Sequence, residues 1–142
     1  MSIMVISESV KKQFVEHIML QVFDDQYIDR QEEKSILEEG IKKGISVAEG
    51  ISIIRQVASE KNLVIERDVE DRATNVLEQF ALNDGVIDQK EFGHALTLFR
   101  TSCKGRVPEP ELKKRLKQII LSHGWKVKEG GFFGSKWFTA IS

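Results

Sequence analysis

Cysteine is nearly absent: Cys103 is the only one in 142 residues, so a single chain can form neither an internal disulfide nor a cysteine-based zinc site. A reducing compartment is therefore expected. Long apolar runs are missing too. No stretch approaches the roughly twenty apolar residues that span a bilayer. The opening MSIMVISES has no basic residue ahead of its short apolar run, which argues against a secretory leader. The protein is expected to be cytoplasmic, with no membrane partner. Proline occurs twice, at Pro108 and Pro110, and because proline disfavours helix in the residue before it, SCKGRVPEPE is the expected linker. Histidine occurs three times, and no motif supplies a catalytic partner for His17, His94 or His123.

What remains is the composition of a folded helical protein. Hydrophobic residues make up 41% and charged residues 30%, a balance that separates the chain from weakly hydrophobic disordered sequences. The length suits one domain with a real core. The charge is unevenly placed: residues 1–100 hold twelve Lys and Arg against nineteen Asp and Glu, whereas residues 101–142 hold nine against three. Such a distribution can bring a polyanion or an acidic protein surface to one end, or let the two parts of the chain attract each other.

Val10, Phe14, Ile18 and Val22 recur every four residues and predict a first amphipathic helix from Ser7 or Ser9. Asp29 with Glu32, Ser46 with Glu49, and Asp88 with Glu91 have capping-box spacing and mark the starts of the second, third and fifth helices. The second carries Ile36, Leu37 and Ile41 and stops at Gly44; the third runs through Ile51, Ile54 and Ala58 toward Asn62. Leu63–Ile65 is a short apolar link. Val69, Ala73, Val76, Leu77 and Phe80 give the fourth helix its stripe, and Ala95, Leu96 and Phe99 the fifth. Leu112, Leu116, Ile119 and Ile120 describe a sixth helix stopped by Gly124. Beyond it, Trp125–Lys128 and Lys136–Ile141 flank three glycines and predict a C-terminal β-hairpin, which must pack on something because two strands alone are barely stable in water.

An internal repeat is the most specific signal. Phe23–Glu32 matches Leu82–Glu91, each an acidic turn followed by an isoleucine and a capped helix. At these residues the sequence resembles the EF-hand pattern, and it is also similar to the acidic repeats of the tellurite-resistance TerB-like helical family. Both resemblances imply a helical scaffold, and the TerB-like one adds metal association and partner binding at no particular residue. In the EF-hand register Gly85, Ile87 and Glu91 are loop positions six, eight and twelve, which puts Phe80 and Leu82 where calcium needs oxygen. The first copy has Gln21 and Phe23 there. Asp25 with Glu32, or Asp84 with Glu91, falls short of the roughly six to eight oxygens that calcium takes, so no metal ligand is expected.

Nor does any motif point to catalysis or to a cofactor. Cys103 has only Ser102 and Lys104 beside it. Gly130–Gly134 lacks the Lys-Ser/Thr of a phosphate loop and opens no helix. Glu32, Glu33, Glu38 and Glu39 alternate with Lys34, Lys42 and Lys43 in the manner of a solvated face.

The expected architecture is mainly α: a duplicated helix-turn-helix bundle of about five helices in residues 1–103, then a basic helix and hairpin in 104–142 packed on it. The expected function is that of a non-enzymatic adaptor or regulatory interaction domain. Its partner-binding candidates are Lys113, Lys114, Lys117, Trp125, Lys126, Lys128, Phe132, Phe133 and Trp137. The partner is another protein or a second copy. Alternatively, the lysines of the sixth helix and hairpin meet the phosphates of a nucleic acid. The aromatic tail can equally complete the protein's own core.

Overall fold

The computed structural model describes residues 6–22, 24–130 and 136–142. It is mainly helical, and among the described residues six α-helices are joined by four two-residue strands: α1 (Glu8–Gln21), β1 (Tyr27–Ile28), α2 (Arg30–Lys42), α3 (Val47–Lys61), β2 (Val64–Ile65), α4 (Glu66–Asp84), β3 (Val86–Ile87), α5 (Gln89–Ser102), α6 (Glu109–His123) and β4 (Lys126–Val127). No helix among the described residues is long and apolar enough to cross a membrane. The chain divides into two compact units, Met1–Arg67 and Asp68–Ser142.

In the first unit α1 starts where Ser7 accepts a hydrogen bond from the Val10 amide, and it buries Phe14 and Ile18 completely. The boxes at Asp29/Glu32 and Ser46/Glu49 are both closed reciprocally. Each satisfies two amides that a helix start leaves without partners. Ile28, Ile36, Ile45, Ile54, Val57 and Leu63 complete the core with α1. Gly40 lets α2 approach α1 closely, since a Cβ there would sit 2.9 Å from Phe14 Cε1. Leu63–Ile65, expected as a link, contains a strand: β2 runs parallel to β1, with Tyr27 opposite Val64 and Ile28 opposite Ile65. Ile41, expected on the buried stripe, is 55% exposed, because α2 turns its inner face toward α1 through Ile36 and Gly40.

The first turn of α4 closes this unit. Glu66 is buried, and its Oε2 accepts from the Arg30 amide at 3.2 Å, capping α2 from a distant segment. Arg67 donates to both oxygens of buried Glu33, at 2.8 and 3.2 Å.

The second unit has the same element order as the first: helix, strand, helix, helix, strand. The repeat visible over ten residues thus extends to the whole unit. Leu77, Ile87, Phe92, Ala95, Phe99, Leu112, Leu116 and Ile120 are among its buried apolar residues. Its C-terminal strand lies where the sequence placed it, but the expected hairpin partner is not used. β4 runs parallel to β3, with Val86 opposite Lys126 and Ile87 opposite Val127, and residues 136–141 fold into turns that place Ala140 N–H on Lys136 O. The expected linker also differs. Residues 103–108 form a tight connection inside this unit, with Lys104 and Gly105 at positive φ, Cys103 fully buried and the Arg106 amide on Cys103 O. Pro110 then sits in the first turn of α6, where a missing N–H costs nothing. The division between the compact units falls along the chain at Arg67/Asp68 and not near 103–108.

The matched turns share a backbone demand. Gln26 has φ +54° and Gly85, its counterpart, φ +83°. A side chain in the left-handed region costs about 1 kcal/mol. Gln26→Gly should therefore raise stability, and Gly85→Ala should lower it by about 1 kcal/mol; urea melts of both variants give the comparison, and shifts of the same sign would contradict it.

The cap at α2 has a pH signature. Partial burial, reinforced by the adjacent Asp29 carboxylate, pushes Glu32 above its usual value. A carboxyl raised in the folded state favours folding while protonated, and that contribution is lost as pH rises through the folded value. Glu32→Gln keeps an acceptor for the Asp29 amide and should match or exceed the parent in stability at neutral pH, with the difference closing in acid. Asp29→Ala should cost about 1 kcal/mol at neutral pH. Thermal melts across the acid range read both.

Candidate functional site

In α6, 3.6-residue periodicity turns Leu112, Leu116 and Ile120 inward, all fully buried. Lys113 and Lys117 are left half-buried at the flank and Lys114 exposed. The segment 136–142 lies along this flank and is tied down at several points. Lys117 Nζ donates to Phe138 O at 3.1 Å and to Ile141 O at 2.8 Å, and it sits 5.1 Å from the centre of the Phe138 ring. Trp137 Nε1 donates to Lys128 O at 3.1 Å. The Thr139 amide and hydroxyl donate to the two oxygens of Glu129, at 3.1 and 2.6 Å. Phe138 is buried, and both it and Trp137 pack on Phe92, with ring centres 6.5 and 5.0 Å away.

Between the tethered segment and α6 lies an open groove of about 290 Å3 walled by Pro110, Lys113, Lys114, Trp137, Ala140 and Ile141. Three of the residues expected from sequence to bind a partner, Lys113, Lys114 and Trp137, therefore converge on one surface. The other described candidates do not line this groove. Lys117 is committed to tail carbonyls. Trp125 is half-buried and stacked on His123, with ring centres 4.3 Å apart and planes 16° from parallel. Lys126 and Lys128 are exposed, two residues apart along β4 and its continuation. Phe132 and Phe133 lie outside the described residues.

Phe92, Glu129, Phe138 and Ile141, which also shape this surface, were not among the partner-binding candidates expected from the sequence. A second depression escaped the sequence as well. In the first unit, Leu37, Ile41, Val47 and Ile51 line an apolar groove of about 490 Å3 between α2 and α3, edged by Lys34 and Glu38. Its only trace in the sequence is Val47, an apolar residue directly after the Ser46 cap.

The carboxylates of the two repeat turns are engaged locally. Asp25 Oδ1 accepts from the Tyr27 amide at 3.2 Å and Asp84 Oδ1 from the Val86 amide at 3.3 Å, while Glu32 and Glu91 close their capping boxes. Among the described residues no group of three or more His, Cys, Asp or Glu side chains is placed to hold a metal. His17 is half-buried with Nε2 unpartnered, His94 is exposed beside Phe80, and His123 Nδ1 donates to Ile119 O at 2.9 Å. Compared with protein-family models, with curated proteins and with solved structures, the chain matches none of them.

The Glu129 tether titrates. Hydrogen bonds from the Thr139 hydroxyl and amide, aided by Lys136, hold Glu129 below the usual glutamate value. A depressed carboxyl contributes its stability above the unfolded value and loses it as pH falls through the folded one. Acidification should therefore loosen the segment and change the emission of Trp137. Thr139→Val, which removes the hydroxyl donor, should move that transition to higher pH; an unchanged midpoint would mean that the tether does not hold the segment.

Proposed function

We propose that this protein is a non-enzymatic interaction module that receives a segment of a partner protein in the groove between α6 and residues 136–142. The observation that carries this reading is the convergence of Lys113, Lys114 and Trp137 on one preformed surface. The groove walls are fixed by hydrogen bonds from Lys117, Trp137 and Thr139, so a partner meets an ordered site and loses less affinity to ordering it. The two lysines at its edge form no ion pair among the described residues and have no evident structural task. No cofactor and no catalytic residue is part of this reading. The acidic turns act as caps on a scaffold similar to EF-hand and TerB-like repeats, and added calcium in millimolar amounts is expected to leave the melting temperature unchanged.

A second reading has its own observation. Lys126 and Lys128 are exposed beside the stacked His123–Trp125 pair, an arrangement that phosphates and a base could meet. Salt separates the two, because phosphate contacts release counterions and weaken steeply as salt rises.

Removing residues after Lys104 would strip away α6 and β4 and unfold the second unit, so point variants are the proper probe. Affinity capture from cell extract with the intact protein and with Lys113→Glu/Lys114→Glu should retain a polypeptide on the first and lose it on the second. Retention of nuclease-sensitive material that depends on Lys126 and Lys128 and washes off in moderate salt would replace this reading with the second one.

A further inference from the structure

The charges around α6 are unevenly satisfied, and the imbalance identifies a kind of partner. Residues 101–142 contain three acids, and each is engaged elsewhere. Glu109 lies 3.7 Å from Arg100, Glu111 lies 3.6 Å from Arg115, and Glu129 accepts from Thr139. Arg115 is further held by Glu70 at 3.5 Å. Lys117 is drawn onto the carbonyls of Phe138 and Ile141. No acid of this stretch is therefore left for Lys113 and Lys114. Lys113 is half-buried and lines the groove with Lys114. Pro110 precedes these two cations by one turn of α6, and the facing wall is mainly apolar, made of Trp137, Ala140 and Ile141 with Ser142 at its end. Trp137 places one face near Phe92 and has its N–H bound to Lys128 O, so it offers hydrocarbon and no hydrogen-bond donor to an occupant.

We propose that the groove takes an acidic peptide segment carrying one bulky apolar residue: the apolar side chain packs against Trp137 and Ile141, and flanking carboxylates meet the ammonium groups of Lys113 and Lys114. This rests on the reading of the groove as a protein-binding surface and names the chemistry of its partner. A nucleic acid fits less well. The cations stop after two residues because Lys117, one turn on, is diverted, so no track of phosphate contacts continues along α6. The apolar wall also presents nothing that reads a base edge. A carboxylate beside a hydrophobic anchor uses both halves of the site, with the anchor supplying burial and the charges supplying selection.

The test is selection of a randomised dodecapeptide display library on the intact protein, repeated on Lys113→Glu/Lys114→Glu and on Ile141→Ser. Melting temperatures should match the parent for the charge variant, since neither ammonium holds another part of the fold. Peptides enriched on the parent should combine Asp or Glu with Phe, Leu, Ile or Trp. Resynthesised, they should bind at least tenfold more weakly to both variants, and selection on the charge variant should favour Lys and Arg instead. In Trp125→Phe, which leaves Trp137 as the only indole, binding should shift its emission. Enrichment of apolar peptides without charge bias, lost in Ile141→Ser, would overturn the acidic partner while leaving the groove a protein-binding site. Enriched peptides indifferent to both variants would place binding elsewhere, the α2/α3 groove included, and overturn the proposal together with the groove reading. No enrichment, with an oligonucleotide competing for Lys126 and Lys128, would overturn both in favour of nucleic acid.

Discussion

Each unit is closed by two residues of main chain running beside two others. Tyr27–Ile28 beside Val64–Ile65, and Val86–Ile87 beside Lys126–Val127, are the links that bring the end of a helical pair back to the turn where it began. Strands this short have little stability of their own. They persist because the residues around them are already fixed: a left-handed residue at Gln26 or Gly85 sets the direction of approach, and a capping box directly after each first strand fixes the departure of the next helix. Without that pairing, the segment after β4 would have no position relative to α6, and the groove would have no second wall.

The two units complete the same plan by different chemistry. In the first, the segment after the second strand is the start of a helix, and it contributes Glu66 to the Arg30 amide and Arg67 to Glu33. Burying that ion pair adds little net stability, because desolvation offsets the attraction, but removing one partner would strand the other. Its effect is to tie the first turn of α4 to α2. In the second unit Phe92 stands where the repeat places Glu33, and the segment after β4 meets it with Trp137 and Phe138. Burying one such ring contributes about 1.5–3 kcal/mol. Residues 136–142 thus occupy the role of a helical turn that the first unit takes from α4, and the aromatic cluster at the end of the sequence is explained in part by this substitution.

Features governed by neighbouring residues were legible in the sequence. All three capping boxes form, Asn62 and Gly124 end their helices in the left-handed conformation, and the stripes of α1, α5 and α6 face inward. Features that depend on distant segments were not. A two-residue strand is too short to show a period of two, and nothing in Leu63–Ile65 or Lys126–Val127 names a parallel partner some forty residues earlier. The hairpin was read from β-favouring residues on both sides of a glycine-rich turn, yet Lys136–Ile141 takes a turn conformation because Lys117 and Glu129 offer its polar groups partners. Prolines suggested a boundary at 103–108, where burial of Cys103 shows the chain to be anchored. Lys113, Lys114 and Trp137 were nominated from charge and aromaticity, but that they share a groove follows only from where the tail is tied.

Counting charges along the sequence treats Lys113, Lys114, Lys117, Lys126 and Lys128 as one basic surface. The fold sorts them. Lys117 points its ammonium at two carbonyls within 3.1 Å, where the partial negative charge at the end of a turn holds it as it would at a helix C-terminus. Its charge is then answered locally and adds little to any field that draws a partner from solution. Lys113 and Lys114 keep theirs, beside the apolar wall that Lys117 holds in place. The same residue type therefore does two kinds of work one turn apart. One lysine is internal cement for the tail, and its removal should be felt in stability. The other two form no ion pair among the described residues and stand at the edge of the groove.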